Sequence, residues 1–175
     1  MERTYNKISF RNATIGDAEQ LCKWWNDGTV MAHAGFPKGI GTTVEEVAAQ
    51  IGQEREETAR THIIFLEETA IGEMGYRNLD GRTCEIGIKI CEADHQNRGI
   101  GKIVLSLFID GLFNELGYER ILLDTNLKNK RAQHVYEQLG FQKGKTNIDA
   151  WKDQLGNFQS SIDYELTKQN FISYL

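Results

Sequence analysis

"HQNRGIGKIV", residues 95–104, decides how the rest of the chain is read. Gly99 and Gly101 stand one residue apart, Gln96 precedes them, and Arg98 and Lys102 bracket the pair. The run behind them, "IGKIVLSLFIDGLFNELG", carries Ile100, Ile103, Val104, Leu107, Phe108 and Leu112 as one apolar face, so a helix is predicted to start at the glycines. The run ahead, "RTCEIGIKICE", reads as a strand. A strand, a bare turn and a helix N-terminus bring unpaired N–H groups together at the positive end of a helix dipole, which is an anion site. Two common phosphate motifs do not fit. A Walker A loop needs glycine at Gln96 and Ser or Thr at Ile103, and a dinucleotide fingerprint needs a third glycine near Val104. What remains is Gln-x-x-Gly-x-Gly, which taken alone is equally a tight turn.

Working outward, strand and helix signals alternate. "KISFR" alternates as a strand, and Thr14 with Asp17 opens a helix whose Ala18, Leu21, Cys22 and Trp25 form a buried stripe ending near Asn26. "DGTVMAHAGFPKGIG" holds the only proline, Pro37, and is predicted to be an irregular loop before "TTVEE" caps a second helix. "THIIFLEE", "AIGEMGYRNL" and "RTCEIGIKICE" read as a three-stranded meander with Asp80-Gly81 at one turn. Beyond the long helix, "ERILLDT" is a buried strand. "NKRAQHVYEQLGF" is a helix capped by Asn129 and stopped at Gly140. "FQKGK" and "SSIDYELTK" are two closing strands with a polar segment around Trp151 between them. This order predicts a single α/β domain over residues 1–175, with a mixed sheet covered by helices.

With 175 residues, 40% hydrophobic and 26% charged, the chain has the composition of one globular domain. A net charge of −5 argues against a nucleic-acid partner and suits cationic ones. Cys22, Cys84 and Cys91 are an odd number without a CxxC pair, which points away from disulfides and zinc and toward a reducing cytoplasm. No stretch approaches the roughly 20 apolar residues of a membrane span, and "MERTYNKISF" lacks an apolar targeting core. His33, His62, His95 and His134 have no metal-ligand spacing, so no metal is expected.

Gln96-Asn97-Arg98-Gly99-Ile100-Gly101 resembles the pyrophosphate-binding signature of the GNAT superfamily of acetyl-CoA-dependent N-acetyltransferases. The second signature of that family is similar to Asn129, Ala132, Tyr136, Gly140 and Phe141. The resemblance covers nearly the whole chain and is nearest to the RimL-like branch, which mixes ribosomal-protein N-terminal acetyltransferases with small-molecule amine acetyltransferases. It implies a mixed, mostly antiparallel sheet whose fourth and fifth strands splay apart, about four helices, and acetyl-CoA as co-substrate. Dimers are frequent in the family.

The resemblance and the residues together nominate a site. The N–H groups from Asn97 through Lys102 cradle the pyrophosphate, and Arg98 and Lys102 add screened attraction. The strand edge at Lys89, Ile90 and Cys91 bonds the peptide-like pantetheine arm, and an N–H near Ile90 faces the oxyanion. Asn129, besides capping its helix, resembles the residue that holds the arm, and Tyr136 the acid that protonates the leaving thiolate. The base is expected to be Glu85, with Glu73 or a water chain as alternatives. His33 lies in the glycine-rich loop, and Trp24 and Phe36 flank the region that lines the acceptor site in the family; Trp25, on the apolar stripe, is assigned to the core. Cys84 and Cys91 have no histidine spaced to activate them for a covalent route. The expected activity is direct transfer of acetyl to a primary amine, of a protein N-terminus, polyamine, aminoglycoside or amino-acid-like metabolite. The contrasting expectation is a catalytically silent acyl-CoA-binding module.

Overall fold

Three apolar strands in a row dictate a sheet, and the two helical stripes of opposite placement dictate that both of its faces are covered. The computed structural model describes all 175 residues. β1 (Arg3–Tyr5) and β2 (Ile8–Asn12) form a hairpin, followed by α1 (Ala18–Trp25), α2 (Gly28–Met31) and α3 (Val44–Gln53). The meander is β3 (Ala59–Leu66), β4 (Thr69–Asn78) and β5 (Thr83–Ile90). Then come α4 (Ile100–Asn114), β6 (Arg120–Asn126), α5 (Lys130–Gln138), β7 (Gln142–Lys152) and β8 (Phe158–Thr167). The eight strands lie in the order β1-β2-β3-β4-β5-β6-β8-β7. Every neighbouring pair is antiparallel except β5 and β6.

Each face has its own core. Beneath α4 and α5 lies a cluster of 25 buried residues that includes Met74, Tyr76, Cys84, Ile86, Phe108, Ile121 and Leu123. Beneath α1 and α3 lies a smaller cluster of 9, including Leu21, Trp24, Val47, Ile51, Ile63 and Cys91. The alternation of strand side chains follows: Cys84, Ile86, Ile88 and Ile90 of β5 point to the α4 side, and Glu85, Gly87, Lys89 and Cys91 to the α1 side.

The pairing of β5 with β6 is short. Thr83, Cys84 and Glu85 pair with Arg120, Ile121 and Leu122, and beyond Glu85 the two strands part. This is the splay expected between the fourth and fifth strands, here β5 and β6 because β1 adds a strand before "KISFR". No helix is long and apolar enough to cross a membrane.

Two expectations are corrected. The segment after Asn26 is ordered, with a one-turn helix α2 that brings the α-helices to five. A Cβ on Gly28 would lie 2.1 Å from Pro37 O and one on Gly39 2.1 Å from Asn26 O, so the loop closes on itself through glycine-only crossings. β7 runs straight through Trp151, because two bulges and Asp149 at φ +48 let a polar, exposed strand stay paired to β8. The loop and this hairpin hold each other: Gln154 donates to Gly39 O at 3.0 Å and accepts from Lys38 N at 2.8 Å.

Candidate functional site

The glycine loop has the conformation its sequence demands. Gly99 is the N-cap of α4 at φ +75, and Asn97 also sits at positive φ, +61. A Cβ at Gly99 or Gly101 would meet nothing within 4 Å, so the space these glycines leave is open. In the first turn of α4 the N–H groups of Ile100 and Gly101 have no backbone partner. Asn97 is held by Arg131, whose Nη1 donates to its Oδ1 at 2.7 Å. Arg98 is exposed, while the Ile100 side chain belongs to the core. Lys102 turns elsewhere: its ammonium lies 3.9 Å from the Tyr174 ring centroid and its N–H donates to Gly99 O at 3.2 Å.

The ladder phase tells which β5 groups face the opening. Cys91 N–H donates to Ile71 O at 2.9 Å, so Cys91 and Lys89 turn their main-chain groups toward β4. Ile88 and Ile90 therefore point theirs toward the gap. Gln96 Nε2 donates to Ile90 O at 2.9 Å, which fits that direction and leaves the Ile90 N–H facing the gap. Of the expected trio, Ile90 alone offers its backbone there. Both thiols are buried: desolvation pushes the Cys91 pKa well above the ordinary thiol value and that of Cys84 up to about 12, so neither is a ready nucleophile.

On the far side of the gap, Asn129 caps α5 by accepting from Ala132 N at 3.2 Å. Tyr136 is 8% exposed, edge-on to Phe141 and Tyr164 with ring centroids 5.7 Å apart in each pair. The hydroxyls of Tyr76 and Tyr164 find acceptors at 3.0 Å, Glu56 O and Glu137 Oε1, but that of Tyr136 makes no hydrogen bond within the protein. Burial first, and then the charge of Asp124, pushes its pKa up to about 12. The phenol therefore stays protonated at neutral pH.

The α1 side of the opening is a polar cleft of about 340 Å³ whose lining includes Glu54, Glu73, Arg77, Glu85, Gly87 and Lys89. Glu85 is ion-paired with Arg77. Glu73, 8% exposed, pairs with Lys89 at 3.0 Å. Burial pulls the Lys89 pKa down, but the charge of Glu73 and its hydrogen bond outweigh that and hold it above the ordinary lysine value. Gly87 faces open space. No three His, Cys, Asp or Glu side chains gather as a metal site would require.

The two tryptophans exchange roles relative to expectation. Trp24 is core, 2% exposed, its indole N–H donating to Glu92 Oε1 at 2.8 Å. Trp25, assigned to the core, instead reaches Glu73 with its Nε1, at 3.4 Å. Helix α1 ends at Trp25, so the stripe closes at Trp24, three residues after Leu21. His33 and Phe36 are exposed on the α2 loop, and neither lines the cleft. Sequence reasoning missed Trp25 and also Arg77, whose ion pair with Glu85 lies in the cleft.

With this geometry in view, the profile of the acetyltransferase (GNAT) domain matches residues 7–142. The chain belongs to the GNAT acetyltransferase family. Similar folds include the spermidine N-acetyltransferase from Vibrio cholerae in complex with CoA and spermine. It is 18% identical, with 94% of this chain and 97% of that one covered and a TM-score of 0.83. The RimL ribosomal L7/L12 alpha-N-protein acetyltransferase in complex with coenzyme A is 14% identical over 94% and 96% of the two chains, TM-score 0.83. A GNAT-family acetyltransferase from Bacillus anthracis is 17% identical over 97% and 99%, TM-score 0.79. No curated protein matches the chain significantly.

Proposed function

We propose that this GNAT acetyltransferase moves the acetyl group of acetyl-CoA to a primary amine by direct attack in a ternary complex. The observation that carries the reading is the parting of β5 from β6 beside an unfilled glycine loop and a neutral, unpartnered Tyr136 hydroxyl. A pyrophosphate suits the loop because Gly99 and Gly101 leave its approach clear and the α4 dipole favours the charge. Pantetheine suits the β5 edge, where Ile88 and Ile90 offer strand-like partners, and the Ile90 N–H serves as oxyanion donor. Tyr136 donates to the departing sulfur, whose thiolate is costly in a dry slot. Asn129 steadies the arm while it caps α5. The amine arrives from the α1 side, where Trp25, Glu73 and Glu85 line its approach. A cytoplasmic location and a homodimer belong to the same reading, the latter checked by gel filtration.

The test is release of free thiol from acetyl-CoA with a panel of amines: peptides with free N-termini, di- and polyamines, aminoglycosides and amino-acid amides. Amine-dependent release supports transfer. Acetyl-CoA binding without release for any class would point to the silent module instead.

A further inference from the structure

The cleft on the α1 side has a defined length. Its floor consists of three cross-strand pairs of β4 and β5: Glu73 with Lys89, Gly75 with Gly87, and Arg77 with Glu85. The outer two are ion pairs, and the middle one has no side chains. A Cβ at Gly87 would meet nothing within 4 Å and one at Gly75 would lie 2.8 Å from Arg60 O, so between the ion pairs the floor is bare backbone. Thr61 of β3 and Glu54 at the end of α3 close one flank. Glu73 and Arg77 are four residues apart on β4, which sets the ion pairs about 13 Å from each other at roughly 3.3 Å per residue.

The two ends differ in position. Lys89 stands between Ile88 and Ile90, whose main chain faces the opening, whereas Glu85 is level with the last residues at which β5 and β6 still pair. The cleft has three carboxylates and three cations, Arg60, Arg77 and Lys89, so it carries no net negative charge. Each carboxylate is already matched. Glu73 accepts from Lys89 at 3.0 Å and from Trp25 Nε1 at 3.4 Å, Glu85 from Arg77, and Glu54 from the N–H and hydroxyl of Thr61 at 2.7 and 2.6 Å. Donors are what is left over. Arg77 spends only Nη2 on Glu85, and with a side chain 66% exposed its Nε and Nη1 remain open to a ligand. The free edge of a guanidinium matches a carboxylate, and a second ammonium there would meet a like charge. A volume of about 340 Å³ is that of a small-molecule site.

We propose that the acceptor is a small, peptide-like zwitterion whose amine reaches the opening beside Lys89 and whose carboxylate is received by Arg77. The inference rests on the acetyl-transfer reading and names the substrate class of that site. The acceptor lies over Gly75 and Gly87, where the missing side chains let its backbone approach the sheet. Three extended residues span about 10 Å at roughly 3.3–3.6 Å each, which matches the separation of the two ends once the arginine side chain leans inward. An α-amino group, with a pKa of about 8, is roughly one-tenth free base at neutral pH, so a cleft without surplus negative charge suits it. A polyamine is ill served by the same groups, because its second ammonium would find Arg77 and no unmatched carboxylate in the cleft.

Triglycine and triglycinamide, which differ only in the terminal carboxylate, test the assignment, with 1,4-diaminobutane and a longer peptide amide as contrasting acceptors. At low ionic strength kcat/KM for triglycine should exceed that for triglycinamide about fivefold, the upper end for an exposed ion pair, and added salt should shrink the difference. Arg77→Gln should bring the ratio of the two peptides to about one, and Arg77→Lys should keep part of it. Because the ratio is taken within each variant, an effect of the freed Glu85 on both peptides cancels. Equal rates with the two peptides in the wild type, a ratio that survives Arg77→Gln, or a preference for the diamine or the longer peptide would overturn the proposal. If none of the four is acetylated, the transfer reading fails for these acceptors. Calorimetry of triglycine on the CoA-loaded protein then decides the site separately: binding weakened about fivefold by Arg77→Gln upholds it, and binding that is absent from the wild type or equal in both refutes it.

Discussion

Tyr136 packs in the core, and the proposed function gives its hydroxyl a chemical role as well. Its ring fills the core beside Phe141 and Tyr164, and its hydroxyl has no hydrogen-bond partner within the protein, so removing that oxygen separates packing from the proposed chemistry. Tyr136→Phe should lower kcat roughly 10²-fold, with little change in Tm or acetyl-CoA affinity, as measured by steady-state kinetics beside calorimetry. A stability loss with kcat retained would make the tyrosine a packing residue. At this scale the sequence was legible where a residue's neighbours in the chain determine its role, as for Asn129 at its cap. It was illegible where the role depends on which way a helix is rotated. Trp24 and Trp25 are adjacent, and only the position of Glu92 and Glu73 in space decides which indole is core. Arg77 stayed hidden for a related reason: nothing local to "GYRNL" says which face of the sheet carries the cleft.

Among the elements, the glycine loop was read correctly from sequence because its chemistry is local: a left-handed Gly99 and a bare first turn need nothing beyond the ten residues around them. The proposed pyrophosphate assignment rests on the open space at Gly101. Gly101→Val should put a branched side chain into that gap and weaken acetyl-CoA binding at least tenfold, about 1.4 kcal/mol, in a calorimetric titration. Equal affinity in a folded variant would remove the pyrophosphate from this loop. The segment after Asn26 and strand β7 were misread because each is ordered by the other. Gly35 packs so tightly on Trp151 that a Cβ would lie 2.4 Å from its ring, a contact between segments more than a hundred residues apart. β7 has no apolar alternation because it is an outer strand, exposed along nearly its whole length.

For the molecule as a whole, helices on both faces of one sheet leave a single interruption, and acetyl transfer is assigned to it. The sheet order was implied by hydrophobic periodicity and family resemblance together; the depth of individual polar residues was not. His62 is fully buried against Phe10, Phe108 and Tyr76, with neither ring nitrogen hydrogen-bonded. Burial, then the nearby N-terminal ammonium and Arg60, drops its pKa from 6.5 to about 3. Between those values the unfolded chain binds the proton and the folded one does not, so stability is full above 6.5 and falls as pH drops toward 3. Denaturation should show this contribution falling by about 2 kcal/mol at a pH of about 5, and His62→Phe should flatten the slope relative to wild type. Parallel slopes would mean that His62 takes up its proton in the folded state.

The proposed chemistry brings both substrates together at the β5–β6 opening without an acyl-enzyme. Intact-mass spectrometry of protein and small molecules after incubation with acetyl-CoA, with and without an accepted amine, tests it most directly. An unmodified protein is expected in both cases, with acetylated amine and free CoA thiol in one-to-one ratio only when the amine is present. Thiol released with acetyl retained on the protein, or no acetylated amine from any acceptor class, would contradict it.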